Sequence, residues 1–434
     1  MPAELTDDLA VDVLIIGGGV QGHYLARQLA DRYSVCLLTD PTMRVETLEA
    51  EGYLSAGYDG NDANKIQPAR RAAGYWKLWA ESNEIPHDIV DTVYAVAPDD
   101  ISLRTRLWSD AALGYTQSAD LPQAFGGGTI SEHMPFVTTN DVLISPSVML
   151  NTLRKGIEHC CIEGKVMKIG LANDKAIEFV DVDVDGTTVP IVARYTVFAA
   201  SGGNAGLLQK TAVRFRDVAK RKDRQELVKS SQAIRRRYVL CVRGDSLPPV
   251  AGHFGGFQVA SHQVPGSRDR VWIVNPPIDD ALTTLGPDAL QFEVAVDSAV
   301  VSGVVRVLFG MSPELERIAH RVQWGVYARR KTEHPMMAVR NTSKVGQPAP
   351  AKIENFGLDT FMALWPSHTS YAMIVGDVAA ERITESLGPR HDFGLAVSPA
   401  ELAPSAPNPI VARWEADTFP WLGWDAFARE HGIS

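Results

Sequence analysis

The chain has 434 residues, enough to bury a large core and to hold two structural domains. Charged residues make up 22% and hydrophobic residues 45%, a globular balance that excludes a disordered chain. The formal net charge of −10 argues against a nucleic-acid partner, which needs a basic face.

Met1 to Asp8 carries neither a basic n-region nor an apolar h-region, so no secretory signal is expected. Val11 to Ile16 is an apolar, β-branched run with the length of a buried strand. Gly17-Gly18-Gly19-Val20-Gln21-Gly22 follows at once and fits G-x-G-x-x-G through Gly17, Gly19 and Gly22. His23 to Arg32 reads as a helix and Ser34 to Leu38 as a second strand ending at Thr39-Asp40. In such a β–turn–α–β unit the first glycine permits the tight turn and the second lets a pyrophosphate approach the backbone. The third lets the helix pack on the sheet, and the helix N-terminus faces the phosphates. Asp40 lies 40 − 17 = 23 residues past Gly17, near the roughly 20 of a ribose-binding acid. Such an acid often follows its strand directly, and that place is held by Thr39.

Gly52 to Tyr58 is a glycine- and serine-bearing loop, and Ile66 to Ser82 reads as a helix. From Ile85 to Asn140 short strands and turns are expected, with a turn at Gly126-Gly127-Gly128. Val142 to Glu158 reads as a helix, with Ser145-Pro146-Ser147 as cap, first-turn proline and polar neighbour. Val166 to Val192 predicts a β-meander turning at Asp185-Gly186, and Tyr195 to Ala200 a separate buried strand running into Ser201-Gly202-Gly203-Asn204. The basic stretch Arg214 to Arg224 reads as a solvated helix face. Residues 225–345 alternate strands and loops around a helix near Ala299 to Met311. The longest apolar stretch, Val294 to Met311, is broken by Asp297 and Arg306 and does not span a membrane. Thr360 to Leu364 reads as a buried strand, Ala372 to Glu385 as a helix, and the proline- and tryptophan-bearing remainder as a tail docked on the body. Four cysteines, two of them adjacent at Cys160-Cys161, form no disulfide framework, so a reduced, cytoplasmic protein is expected, without a metal site.

These pieces, in this order, resemble the D-amino-acid-oxidase-like superfamily of FAD-dependent oxidoreductases up to about residue 390. Gly17–Gly22 with Thr39-Asp40, the loop Ser55-Ala56-Gly57, the turn Val197 to Gly202 and the closing unit Thr360 to Glu385 carry the resemblance. It implies an α/β fold: a Rossmann-like FAD-binding domain (GR2-type) interleaved with a β-rich α+β substrate domain. The FAD-binding domain would take residues 1–85, 142–222 and 350–395, the substrate domain 86–141 and 223–349, and the tail 396–434. The cofactor residues it implies are Gly17, Gly19, Val20, Gln21, Gly22, Thr39, Asp40, Ser55, Ala56, Gly57, Val166, Ala200, Ser201 and Gly202. The segment Ser367-His368-Thr369-Ser370-Tyr371 would pass the flavin ring; unlike its counterparts it holds no glycine, and the next is Gly376. All four cysteines lie at or before Cys241, which implies non-covalent FAD.

In the resembling enzymes a hydride leaves a C–H beside an amine or hydroxyl for the flavin N5, and O2 or a quinone takes the electrons on. An arginine clamps an anionic group of the substrate, since its planar fork matches a carboxylate. Trp324 to Glu333 resembles the strand that bears it; Arg329 and Arg330 cannot both face the site, and Arg330 is favoured. His368 is the candidate for proton exchange, and Tyr53, Tyr58 and His253 are further candidates near the substrate. Two other readings stand beside this one: an NAD(P)-dependent dehydrogenase, and a flavin-binding scaffold or sensor without redox activity.

Overall fold

A computed structural model describes residues 9–58, 63–87, 92–118, 121, 125, 133–138, 141–172, 176–211, 233–254, 257–276, 283–284, 296–332, 353–355, 357–365, 369–388, 399–402 and 410–433. Two sheets dominate. In the first, the strand Leu9–Ile16 lies parallel between Val35–Thr39 and Thr187–Phe198, flanked outward by Cys161–Glu163 on one side and Phe361–Leu364 on the other. A central parallel strand is buried on both faces, which is why its sequence is a continuous apolar run. Val11, Leu14 and Ile16 pack in one cluster, Val13 and Ile15 in another under the helix Val20–Leu29. The one acid in the run, Asp12, accepts hydrogen bonds from the Ser34 amide and hydroxyl and pairs with Arg194 at 2.9 Å.

The second sheet runs in the order Leu422–Gly423, Gln323–Thr332, Ala233–Gly244, Arg270–Asn275, Phe257–Gln263, Ala251–Phe254, Thr92–Val96, Met134–Thr138, Thr116–Gln117. One face packs under the helix Ser298–Met311 through Val301, Val304, Val305 and Leu308. Tyr53 and Leu143, from the short antiparallel pair Tyr53–Leu54 and Val142–Leu143, pack on the other face against Ala251 and Ala260.

Several expectations change. Thr187–Phe198 is one strand of 12 residues, where the sequence suggested a meander strand followed by a separate one. It survives Pro190 because that residue faces Asp181 on the antiparallel side, while pairing with Leu9–Ile16 begins only at Ile191. A helix, Ile101–Asp110, lies in the stretch read as strands and turns; Trp108 is its one fully buried side chain, so its apolar stripe is too narrow to show as a period. The Val142 to Glu158 helix is confined to Pro146–Arg154, and Ser145 donates its hydroxyl to Glu415 and accepts from Ser147 instead of capping it. The C-terminal segment adds Leu422–Gly423 to the second sheet and buries Trp414 and Phe427. The turn at Gly126-Gly127-Gly128 and the basic stretch Arg214 to Arg224 lie outside the described residues.

Candidate functional site

The glycine turn leaves the carboxyl end of Leu9–Ile16 beside the end of Thr187–Phe198, with the Ala199 amide bonded to the Ile16 carbonyl. Gly17 has φ +131°, and a Cβ there would stand 2.4 Å from the Ala199 carbonyl oxygen. A Cβ at Gly22 would come within 1.9 Å of the Gly17 carbonyl. Both positions are closed by the fold itself. Gly19 differs: a Cβ there would meet only Thr47 Oγ1 at 3.4 Å and Val45 Cγ1 at 3.9 Å. A Cβ thus fits above Gly19 without a clash, at the N-terminus of a helix whose first N–H groups seek an anion.

Three segments meet there. The Val20 amide donates to Thr47 Oγ1 at 3.2 Å. Ser201, at φ +52°, donates its hydroxyl to Glu46 at 2.7 Å, while the Ala200 amide is held by the side chain of buried Asn204. Asn204 also donates to the Leu364 carbonyl, tying together the ends of two neighbouring strands. Thr39 closes the second strand, and its carbonyl accepts from the Gly164 amide, which brings Val166 two residues later to the same edge. The Val166 carbonyl accepts from Lys210 Nζ. Asp40 follows Thr39, and its Oδ1 accepts from the Thr42 amide and hydroxyl. Backbone donors, a hydroxyl, an adjacent acid and an open step over one glycine fit the pyrophosphate and ribose of a dinucleotide.

Thr47 escaped sequence reasoning because Val45-Glu46-Thr47-Leu48-Glu49 holds no glycine and no motif. The expected Ser55-Ala56-Gly57 loop lies beside buried Asp141. Its Ala56 amide donates to Asp141 at 2.6 Å and its Gly57 amide to Ser55 Oγ. Gln21 and His23 are buried within the fingerprint helix. His23 donates Nδ1–H to the Gly19 carbonyl at 3.2 Å, and burial pushes its pKa from 6.5 down to about 4. A folded value below the unfolded one means that the unfolded chain takes the proton first. Stability held above pH 6.5 should thus be lost as pH falls through about 4, by about 3 kcal/mol in full. Thermal midpoints measured from pH 7 to pH 4 should drop less in a His23→Gln variant, and equal slopes would refute this assignment.

Between the sheets lie two buried polar clusters. In the first, the hydroxyls of Tyr53 and Tyr94 are 2.5 Å apart, and Tyr94 donates to Asp141 at 3.0 Å. A phenol has one proton, so Tyr53 donates to Tyr94 and keeps its own lone pairs for an acceptor role. His253 stacks on Tyr94 and meets Tyr53 edge-on, both at 4.8 Å. Burial, then the Asp141 charge, raises the Tyr53 pKa well above the ordinary tyrosine value. Tyr58 is buried beside them and donates to the Gly114 carbonyl. In the second cluster Arg329 pairs with Glu51 at 2.7 Å and donates to the Glu49 carbonyl, as does the Tyr327 hydroxyl. The Glu49 carboxylate pairs with Arg413 and Arg44. Burial opposes the Arg329 charge most strongly, but Glu51, Tyr327 and Glu49 together outweigh it and hold its pKa above the usual value.

Arg329 is thus the arginine seated on the Tyr327 side of its strand, among the groups between the sheets. The backbone of Arg330 pairs with Arg236, and its side chain lies outside the described residues, as do Ser367 and His368. Thr369–Tyr371 form a 3-10 turn leading into the helix Ala372–Leu387, with the Ser370 carbonyl held by Trp76 Nε1 at 2.9 Å. Among the described residues no helix is long and apolar enough to cross a membrane, and no group of three or more His, Cys, Asp or Glu could hold a metal ion.

No family model and no curated protein matches the sequence. Solved structures do match the fold. An FAD-dependent oxidoreductase from Pseudomonas aeruginosa gives a TM-score of 0.63 at 17% identity, over 95% of this chain and 99% of that one. Glycine oxidase from Geobacillus kaustophilus gives 0.60 at 14%, over 92% and 100%. L-Proline dehydrogenase from P. horikoshii gives 0.63 at 13%, over 98% and 99%. The chain has the α/β fold of these three proteins over almost its whole length.

Proposed function

We propose that this protein is an FAD-dependent oxidoreductase acting on a small, anionic amine or hydroxy compound, with O2 or a quinone as second acceptor. The observation that carries the reading is the open step above Gly19, closed in by Gly17 and Gly22 and faced by the Thr47 hydroxyl. On this reading residues 1–85, 142–222 and 350–395 bind the cofactor, and 86–141 with 223–349 bind the substrate. Gly17 to Gly22 and Thr47 hold the pyrophosphate, Asp40 or Thr39 the ribose, and Val166 the adenine. Ala200 to Gly202 and Ser367 to Tyr371 line the flavin. When bound, the flavin supplies the hydride acceptor.

The chain's own part is binding, orientation and proton traffic. The proton lost from the substrate's amine or hydroxyl passes to the Tyr53 oxygen as Tyr53 gives its own to Tyr94 and Tyr94 gives one to Asp141. The hydrogen bonds for that relay are already made. His368 is the second candidate for proton exchange, and Arg330 for the anionic group. Burial raises the thiol pKa of Cys160 to about 11 and that of Cys161 to about 12, and it pushes Cys36 and Cys241 higher still. Protonated thiols suit non-covalent FAD and a reduced, cytoplasmic setting. One observation favours the alternative of a redox-silent flavin protein: Arg329 is already paired with Glu51.

Purified protein should be yellow and release FAD, not FMN, on heating or acid, without proteolysis. Chromatography of the supernatant reads this, and a nicotinamide nucleotide alone would overturn the cofactor. Anaerobic bleaching by a panel of amino and hydroxy acids then separates the enzyme from the silent protein, which none would bleach. Arg330→Lys should raise KM or slow bleaching with FAD still bound, since lysine lacks the planar fork. His368→Ala should shift the pH dependence of bleaching; indifference to both changes would remove the two residues from the site.

A further inference from the structure

Strand register places a row of side chains straight across the second sheet. Tyr94 lies opposite His253, His253 opposite Gln258, and Gln258 opposite Asn275. Leu240 pairs with Val274, so Asn275 falls beside Val239, which lies opposite Tyr327. Directly opposed residues share a face. Val239 and Tyr327 pack with Val271 and Ile273, which lie four and two residues before Asn275 on its own strand and so on its face. The row therefore lies on the face covered by Tyr53, Leu143, Trp414 and Phe419, with the tyrosine–aspartate cluster at one end and the arginine–glutamate cluster at the other.

Most polar groups of the two clusters bond to one another. Asn275 does not: it is 1% exposed, and neither Oδ1 nor Nδ2 has a hydrogen-bond partner. Arg329 Nε, on the same face, is a second buried donor without one. A buried amide left without partners is costly, and such groups are normally paired. Neighbouring strands are about 4.8 Å apart, so Asn275 stands about 10 Å from the strand of His253, within the span of a small molecule whose reacting end lies at Tyr53.

Resting on the function proposed above, we infer that Asn275 recognises the tail of the substrate, and that this tail carries a carboxamide. The two open atoms ask for a group that both accepts and donates. A carboxamide does so, pairing its oxygen with Nδ2–H and its N–H with Oδ1. A carboxylate in its place would accept from Nδ2 and set like partial charges against Oδ1.

The test uses FAD-loaded protein and isosteric pairs: asparagine against aspartate and glutamine against glutamate, both enantiomers, with glycine, alanine and lactate for reference. The carboxamides should bleach the flavin with kcat/KM above their acids. Asn275→Leu, of similar shape, should erase that preference, on the order of 10- to 100-fold, with FAD content unchanged. Its thermal midpoint should equal or exceed that of the parent, because an unpaired buried amide has gone. Equal or reversed preference in the parent, a preference that survives in Asn275→Leu, or a midpoint lowered by several degrees each overturns the assignment of Asn275 alone. A parent protein bleached by no member of the panel overturns the oxidoreductase reading itself.

Discussion

Gly19→Val should give a folded, soluble protein that holds no FAD, whereas Gly22→Ala should fail to accumulate in folded form. The two glycines stand three residues apart in one turn, yet a side chain has opposite consequences at each. At Gly22 the first added carbon would overlap the Gly17 carbonyl at 1.9 Å, and backbone cannot yield by that amount without opening the helix from the sheet. At Gly19 the same carbon meets Thr47 at an ordinary 3.4 Å, so the fold tolerates it. Valine there fills the open step, and the helix N-terminus loses its anion. Circular dichroism and FAD content of the two purified variants decide the matter. A Gly19→Val protein with full FAD content would falsify the cofactor site, however well it folds.

The second large effect concerns stability. Glu51→Ala should cost roughly 3–5 kcal/mol, the usual consequence of leaving one member of a buried ion pair without the other. The side chains of Arg329 and Glu51 are 7% and 15% exposed at 2.7 Å, so water cannot take over the pairing. Replacing both, as Arg329→Met with Glu51→Leu, should recover most of the loss, because two apolar side chains need no partners. Denaturation midpoints of the three proteins give the result. A single variant within about 1 kcal/mol of the parent would mean a solvated pair worth little.

What the sequence made legible is what lies close along it. The first strand, the glycine turn, its helix and the second strand occupy residues 9–39, and their signals are local: an apolar run, three glycines, a 3.6-residue period. The closing strand and helix, Phe361–Leu364 and Ala372–Leu387, were legible for the same reason. The inter-sheet groups were not. Glu49 meets Arg329 across 280 residues and Arg413 across 364, and no window of sequence contains such pairs. Tyr53 and His253 were picked out singly; their junction with Tyr94 and Asp141 depends on strand register. Asn275 carries no signal at all, being one amide at the end of a strand. Nothing in Tyr327-Ala328-Arg329-Arg330 tells which parity faces inward; the bonds of Tyr327 and Arg329 to the Glu49 carbonyl show only that these two share a face.

The order of strands in the first sheet has a consequence for how the protein is made. Leu9–Ile16 leaves the ribosome some 180 residues before its neighbour Thr187–Phe198, and the next strand out, Phe361–Leu364, emerges later still. Gln323–Thr332 in turn waits for Leu422–Gly423 to pair with it. The apolar first strand must therefore stay unpaired on one side while some 180 further residues are made. The first sheet is complete only once Phe361–Leu364 has emerged and the second only once Leu422–Gly423 has, so a chain stopped short of either carries bare strand edges that invite aggregation.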